Sequence, residues 1–589
     1  MSNYSVSAVV SQQPYSSAII QIPDTPSGLI ARAASQANPM SFHVARAIAA
    51  TSEGRENVMN IGRYWNFAND GVGYMYMFGK LLKHDHVTMM PLITEVDKVL
   101  TYLKKPTYYN LTQVPRADGS LGQLADLTGG LGYEPICTSP MAIPIIAPIP
   151  ANSPGAGMEL SEVYCMAIAR DLPLNMLTES TNSHVVPEHV NLLNTLMHEL
   201  NDIKDPNWRV DAHRRVTPGI LFRGTAIDED IGYYASQFLL VDVPIGNGTF
   251  TQKYICENDA IGSITRGGYL DMQEGRMPAT PLNVGNTARH IVTLRDLGSL
   301  VHSDPLYGIY FHAALIANKA GFDGLAVNIP NSSNFVTTGP VDFLTSIAAV
   351  SRAAIRLAWV NKWQNVNKLR PEHLAARVVW CESVEPPRRT PSMQELYNNQ
   401  SAGVLNLIRL SNKGRLDSVR IADDGSNGPL PPDINTALPE VFLPQMYTEG
   451  SPGHPSYPAG HAVVAGACVT IMKAFLKTHT KEGDRIRWKS VLGDPVIPSR
   501  HGDQLKVDQT RPPITLIGEL NKLASNVAIG RSIAGVHYRS DSSAGLALGE
   551  ELALSYLRTM VKAYYPTILS PHISFLVERF NGAVVTIKK

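Results

Sequence analysis

Seven stretches between residues 160 and 564 repeat apolar side chains at spacings of three and four, and that period constrains the fold most. They cover residues 160–170, 187–200, 305–320, 340–365, 462–477, 516–533 and 544–564. A stripe at this spacing lies on one face of an α-helix and must be buried against a neighbour. Strand-like runs are few: 238–243, 250–255, and a terminal pair at 572–577 and 583–587 with Asn581-Gly582 as a hairpin turn. No internal repeat interrupts the pattern. The fold class expected is mainly α, a helical-bundle core with small β additions.

The N-terminal side differs. Residues 1–40 are rich in Ser, Gln, Pro and Ala and are expected to form an arm. Helical patterns come next at 58–82 and 90–103, and the prolines of 135–157 forbid a helix and favour an extended connection. The organisation expected is an N-terminal arm and helical region at 1–150 and a helical domain at 151–589.

With 589 residues, 44% hydrophobic and 17% charged, the chain is long enough for a large core. Lys+Arg and Asp+Glu both total 51, so bulk charge gives no support to nucleic-acid or anionic-membrane binding. Any anion chemistry must come from local clusters. Cys137, Cys165, Cys256, Cys381 and Cys468 are scattered, odd in number and form no CxxC, which points to buried thiols rather than a disulfide framework or a zinc site. The N-terminal residues lack a basic stretch followed by an apolar one, so no signal peptide is recognised. The longest apolar run, 462–476, is too short to span a bilayer and contains Lys473. A soluble chain is expected, with the cytoplasm as the favoured location.

Three short segments carry the chemistry. In the first, Lys362-Trp-Gln-Asn-Val-Asn-Lys-Leu-Arg370-Pro371, a continuous helix would leave Lys362 and Arg370 about 80° apart around the axis and roughly 12 Å along it. Two long cationic side chains still converge on one anion across that distance. In the second, His454-Pro-Ser-Tyr-Pro458-Ala459-Gly460-His461, Pro458 suits the start of the apolar helix beyond it. The amides of such a start, Gly460 among them, favour an anion, and glycine lets backbone approach it closely. In the third, Gly530-Arg531-Ser-Ile-Ala-Gly-Val-His537-Tyr-Arg-Ser-Asp541, the last two named residues stand four apart. On one helical face Asp541 can bond His537 Nδ1–H and leave Nε2 free as a nucleophile or metal ligand. Arg531 reaches the same ligand if it lies in a groove or if Gly535 breaks the helix. Read singly, the three segments are a solvated face, a capped core helix, and a surface Arg beside a satisfied core His. Together they supply three fixed cations, helix-start amides and an oriented imidazole, the set that surrounds a tetrahedral oxyanion.

This composite resembles the vanadium-dependent haloperoxidases, which share their site with the helical acid phosphatase and lipid phosphatase superfamily. The likeness is to the bromoperoxidase branch of algae and cyanobacteria. It extends to Ala167-Ile-Ala-Arg-Asp-Leu-Pro, Leu221-Phe-Arg-Gly, Tyr234-Ala-Ser-Gln-Phe-Leu-Leu, Arg295-Asp-Leu, Glu449-Gly-Ser-Pro and Gly518-Glu-Leu-Asn-Lys-Leu-Ala-Ser-Asn-Val-Ala, covering about residues 155–589. The resemblance implies a vanadate cofactor with His537 Nε2 as the single protein ligand to the metal. It implies that Lys362, Arg370, Arg531 and the Gly460 amide neutralise the vanadate oxygens, and that His461 bonds the apical oxygen and acts as acid–base. It implies a halide pocket at Trp359 and His454, the latter also handling protons, and supporting roles for Asp541 and for Asp304 as the acid that orients Arg531. The implied reaction oxidises bromide, and iodide more easily, with hydrogen peroxide to a hypohalous acid equivalent that halogenates a small organic acceptor. A dimer-based homo-oligomer, a dodecamer in that branch, is likewise implied. One position departs from the family: Ala459 stands where its Ser-Gly-His has serine. The lost hydroxyl donor predicts weaker vanadate binding or altered halide preference. A phosphatase using the same pocket, with His537 as nucleophile and His461 as general acid, and a non-enzymatic scaffold remain open alternatives. His198-Glu199 lacks the second histidine of a zincin, Asp202 standing in its place, and Gly129-Gly-Leu-Gly lacks a nucleotide-loop setting.

Overall fold

The computed structural model describes residues 77–588 except 130–142, 144–145, 147, 150–152, 179–186, 203–215, 225, 258–260, 277–283, 319–330, 332, 423–438, 510 and 565–572. The expected N-terminal arm, most of the 58–82 helix and Cys137 lie outside the described residues. The helices that carry the core and the segment packed against it include α1 (Ile93–Lys104), α2 (Pro154–Ile168), α3 (Leu294–Leu300), α4 (Pro340–Trp359), α5 (Pro371–Ser383), α6 (Gly460–Phe475), α7 (Leu516–Ile533) and α8 (Arg539–Tyr564).

Three of them have no exposed face, the short α3 being buried along its whole length. Every residue of α7 is buried, and in α6 every residue but His461. A helix buried all round must be covered on all sides, and α6 is packed by α4, α7 and α8. Small residues let the backbones close: a Cβ on Gly466 would overlap the Leu546 carbonyl of α8, and one on Gly549 would overlap the Val463 carbonyl of α6. The apolar face of α4 is spent on the same core, where Phe343, Ile347, Val350, Ala354 and Leu357 are buried.

The polar residues of α7 must then find partners inside the protein. Glu519 pairs with Lys522 at 2.6 Å and accepts the Gln237 amide at 2.7 Å. Asn526 accepts the Ser236 amide at 2.8 Å and donates to the Tyr234 carbonyl. The sequence segments 234–240 and 518–528 are thus two sides of one buried polar seam.

Among the described residues the β structure is four two-stranded antiparallel pairs. The terminal pair is Phe575–Glu578 with Val584–Ile587, with Gly582 at φ +83 in the turn, as the alternation predicts. Two other strand expectations are corrected. Residues Gln237–Leu239 form a 3₁₀ turn, the Leu239 and Leu240 amides bonding back to the Ser236 and Gln237 carbonyls instead of to a partner strand, and the first strand among the described residues is Val243–Ile245. The run at 250–255 is split between strands Gly248–Phe250 and Tyr254–Glu257, which pair with different partners. The described end of the 58–82 stretch, residues 77–82, is not helical either. Residues 77–129 lie against the bundle: Phe78, Leu82, Val96, Val99 and Tyr102 cluster with Trp363, and the Ala125 carbonyl accepts both the Trp359 and Trp363 indole N–H groups, at 3.2 and 3.1 Å.

Candidate oxyanion site

Three breaks between helices gather the site. α4 runs into a π-helical turn at Val360–Val366, which Asn367 ends with φ +52 before Arg370 caps α5 in extended conformation. The continuous helix considered for Lys362 and Arg370 is therefore replaced by a break, across which the two cations act on one another. α7 stops at Ile533, and Gly535 at φ +90 turns the chain toward His537 before α8 begins at Arg539. Arg170 holds that stop, bonding the Ile533 and Pro444 carbonyls at 2.8 and 2.7 Å. The third break is the start of α6 at Gly460, whose cap residue Ala459 offers no side-chain hydrogen bond. The first amides of a helix have no partner within it, so this end presents donors.

Arg370 sits at the centre. Its Nη1 donates to the Val536 carbonyl and to His537 Nε2, at 2.8 and 2.9 Å, and its Nη2 donates to His454 Nδ1 at 2.9 Å. Lys362 Nζ donates to the Pro455 and Ser456 carbonyls at 2.7 and 2.9 Å, which leaves one ammonium proton. Arg531 Nη1 donates to the Val301 carbonyl and the Tyr447 hydroxyl, at 2.7 and 3.2 Å, while its Nε is buried without a partner among the described residues.

Burial and mutual repulsion set the charges. Burial and then Arg370 hold the Lys362 ammonium well below its ordinary pKa, with Asp541 opposing, and burial brings Arg370 down to about 9. Three buried cations that repel one another are costly unless an anion joins them. The orphaned Arg531 Nε and the uncapped α6 start point to the same requirement, so the donor set fits a tetrahedral oxyanion such as vanadate.

The histidines are oriented by acids. Asp541 Oδ2 accepts from His537 Nδ1 at 2.9 Å and from the Tyr538 amide at 3.2 Å. His537 precedes α8, so Asp541 reaches it as a helix-start acid rather than along one helical face. With Nδ1–H committed, Nε2 carries the lone pair. Burial, Arg370 and Lys362 keep the ring neutral by holding its pKa well below the usual value, the state a metal ligand needs. His461 Nε2 bonds Asp304 Oδ1 at 2.9 Å, leaving Nδ1 for a ligand or proton. Burial and Arg531 lower the His461 pKa, and Asp304 partly restores it. Its ring remains 29% exposed, whereas His454 and His537 are buried, so solvent meets the site at His461. Trp359 and His454 stack obliquely with centroids 4.7 Å apart.

Comparisons with known proteins give the family. Residues 433–564 match the family model of the VCPO second helical-bundle domain. Vanadium-dependent bromoperoxidases of Corallina pilulifera and Corallina officinalis are 32% and 31% identical over 480 and 483 residues, 74% of this chain and 75% of each relative. The chain belongs to the vanadium-dependent bromoperoxidase family. The solved second vanadate-dependent bromoperoxidase of Ascophyllum nodosum, described as homohexameric, shares the fold with a TM-score of 0.74 at 24% identity, over 99% of this chain and 96% of that one.

The expected residues Lys362, Arg370, His454, His537 and Asp541 lie within one network of hydrogen bonds. Arg531, Gly460 and His461 form its other wall. Asp304 is corrected: it holds His461, and Arg531 donates to Val301 and Tyr447 instead. Two buried residues went unrecognised in the sequence. Lys368 Nζ lies 3.1 Å from Asp541 Oδ1 and 3.6 Å from Glu159 Oε2, so a lysine steadies the acid that orients His537. The sequence signal for Glu159 is that it and Glu162 are charges inside a largely apolar helix, and buried charges must be paired.

Proposed function

We propose that this chain oxidises bromide with hydrogen peroxide in a vanadate-dependent reaction, releasing a hypohalous acid equivalent that halogenates a small organic acceptor. The observation that carries the reading is three buried cations converging with a neutral, acid-oriented His537 Nε2. The identity to the Corallina bromoperoxidases supports it.

When bound, vanadate supplies a Lewis-acid centre that activates peroxide toward halide without changing its own oxidation state. His537 Nε2 would be the protein ligand to it, and Asp541 fixes the tautomer that exposes this lone pair. Lys362, Arg370, Arg531 and the Gly460 amide would neutralise its oxygens, the one Lys362 ammonium proton not given to the Pro455 and Ser456 carbonyls being the donor that would polarise peroxide. His461 takes and returns a proton at Nδ1 while Asp304 holds Nε2–H. Trp359 and His454 wall the halide approach, and burial keeps His454 largely uncharged, its pKa held well below the ordinary value by desolvation and then by Lys362 and Arg370. Iodide should be oxidised more readily than bromide, and chloride less. A homo-oligomer is proposed on the homohexameric state of the Ascophyllum relative; light scattering distinguishes a hexamer from a dimer-based dodecamer.

The test is bromination of monochlorodimedone with hydrogen peroxide, with and without added vanadate. Absence of vanadate-dependent turnover in a folded sample rejects the reading. Phosphate-ester hydrolysis that persists after vanadate is removed would favour the phosphatase alternative.

A further inference from the structure

Behind Arg531 stands a second charged assembly, whose charges do not line the oxyanion pocket. Where α3 ends, residues 301–304 form a short loop with two links to the oxyanion site: the Val301 carbonyl accepts from Arg531 Nη1, and Asp304 holds His461. Between them His302 is clamped. Its Nδ1 lies 2.8 Å from both Glu257 carboxylate oxygens, and its Nε2 lies 2.7 Å from Glu449 Oε1. A ring facing a carboxylate with each nitrogen donates from both and is an imidazolium. Burial lowers its pKa, but the hydrogen bonds to Glu257 and Glu449 outweigh that and raise it to about 9.

The imidazolium lies flat on Tyr447, with centroids 3.8 Å and planes 7° apart. Tyr447 is tied at its other end as well, its hydroxyl donating to the Gly298 carbonyl at 2.9 Å while accepting from Arg531 Nη1. The Arg531 guanidinium carbon sits 5.0 Å from the centre of the same ring. Both hydrogen bonds of Arg531 therefore end on groups that His302 fixes, one by chain continuity and one by stacking. Other charges at the clamp are Lys80, donating to the Glu449 carbonyl, and Arg295, 3.5 Å from the Glu257 carbonyl.

We propose that His302 is a positioning residue for Arg531, holding the Val301 carbonyl and the Tyr447 ring so that the guanidinium is set toward the bound oxyanion. The clamp replaces a direct acid partner, which Arg531 lacks among the described residues, with two neutral acceptors on a rigid frame. The guanidinium charge thus stays undivided for the ligand. This rests on the reading of the pocket as an oxyanion site.

A double-mutant cycle tests it, with vanadate titrated calorimetrically into vanadate-free protein in the absence of peroxide. His302→Ala should weaken vanadate binding about tenfold when Arg531 is present. In an Arg531→Lys background, where the fork is gone, the same change should cost less than about threefold. Glu449→Gln, a gentler change at a half-exposed position, should give a several-fold loss that also shrinks in the Arg531→Lys background, and it serves if His302→Ala fails to fold. Equal losses in both backgrounds, or no loss beside Arg531, overturn the proposal. Failure of the unaltered protein to bind vanadate would remove the oxyanion reading itself, and the positioning role with it.

Discussion

Serine at position 459 tests whether a ligand lies where the α6 start points. Ala459 is fully buried among Ala462, Ala528 and Leu546 and caps α6 without any side-chain hydrogen bond. A hydroxyl there can accept from the amide of His461 or Ala462 and donate outward to the oxyanion beside Gly460. The cap is worth about 1 kcal/mol, and a hydrogen bond to a charged group about 1.5–3 kcal/mol. Burying a hydroxyl costs about 1–3 kcal/mol where it goes unsatisfied, which the two new bonds largely offset. The two contributions appear in different measurements. The cap raises the melting temperature of vanadate-free protein, whereas the outward bond tightens vanadate binding, by about tenfold for a net 1.4 kcal/mol. Ala459→Ser is therefore measured by thermal unfolding without ligand and by vanadate titration in parallel. A raised melting temperature with unchanged affinity would show that the hydroxyl meets helix amides and nothing beyond them, refuting the placement of the oxyanion at this end.

The same geometry has other consequences. Arg531→Lys removes the planar fork while keeping the charge, and vanadate affinity measured by titration should fall roughly ten- to a hundredfold. Asp304→Asn removes the group that raises the His461 pKa against burial and Arg531, so the limb of the bromination pH profile that reports His461 should move to lower pH. Gly549→Ala drives a methyl into the Val463 carbonyl of α6, and denaturant unfolding should show a loss of about 2–4 kcal/mol with the site residues untouched.

The sequence revealed most where one physical cause dominated. α7 is Leu516–Ile533, the very span that its apolar period predicts, and α4 and α6 begin within two residues of expectation because burial dictates their composition. The cations of the site were legible because guanidinium and ammonium groups are conspicuous inside apolar helical patterns. Their convergence was not. The π-helical turn and the positive φ of Asn367 that break the helix between Lys362 and Arg370 leave no mark in the sequence beyond Pro371. Nor does spacing disclose which base an acid meets across the fold: Asp304 lies 157 residues from His461 and was assigned to Arg531 instead. The 237–239 run misled for a related reason. Its apolar residues suit a buried strand as well as a buried turn, and the local bonds from the Leu239 and Leu240 amides to the Ser236 and Gln237 carbonyls decide for the turn.

A last consequence concerns the two indoles that share the Ala125 carbonyl. An oxygen with two lone pairs saturated by Trp359 and Trp363 couples those rings mechanically: neither can tilt without dragging on the other's anchor. Trp359 faces His454, and Trp363 roots the Phe78 cluster. Grafting a different peptide across 123–127 would therefore reshape the wall beside His454 from a part of the chain that carries none of the site's charges, a handle on halide choice remote from the oxyanion chemistry.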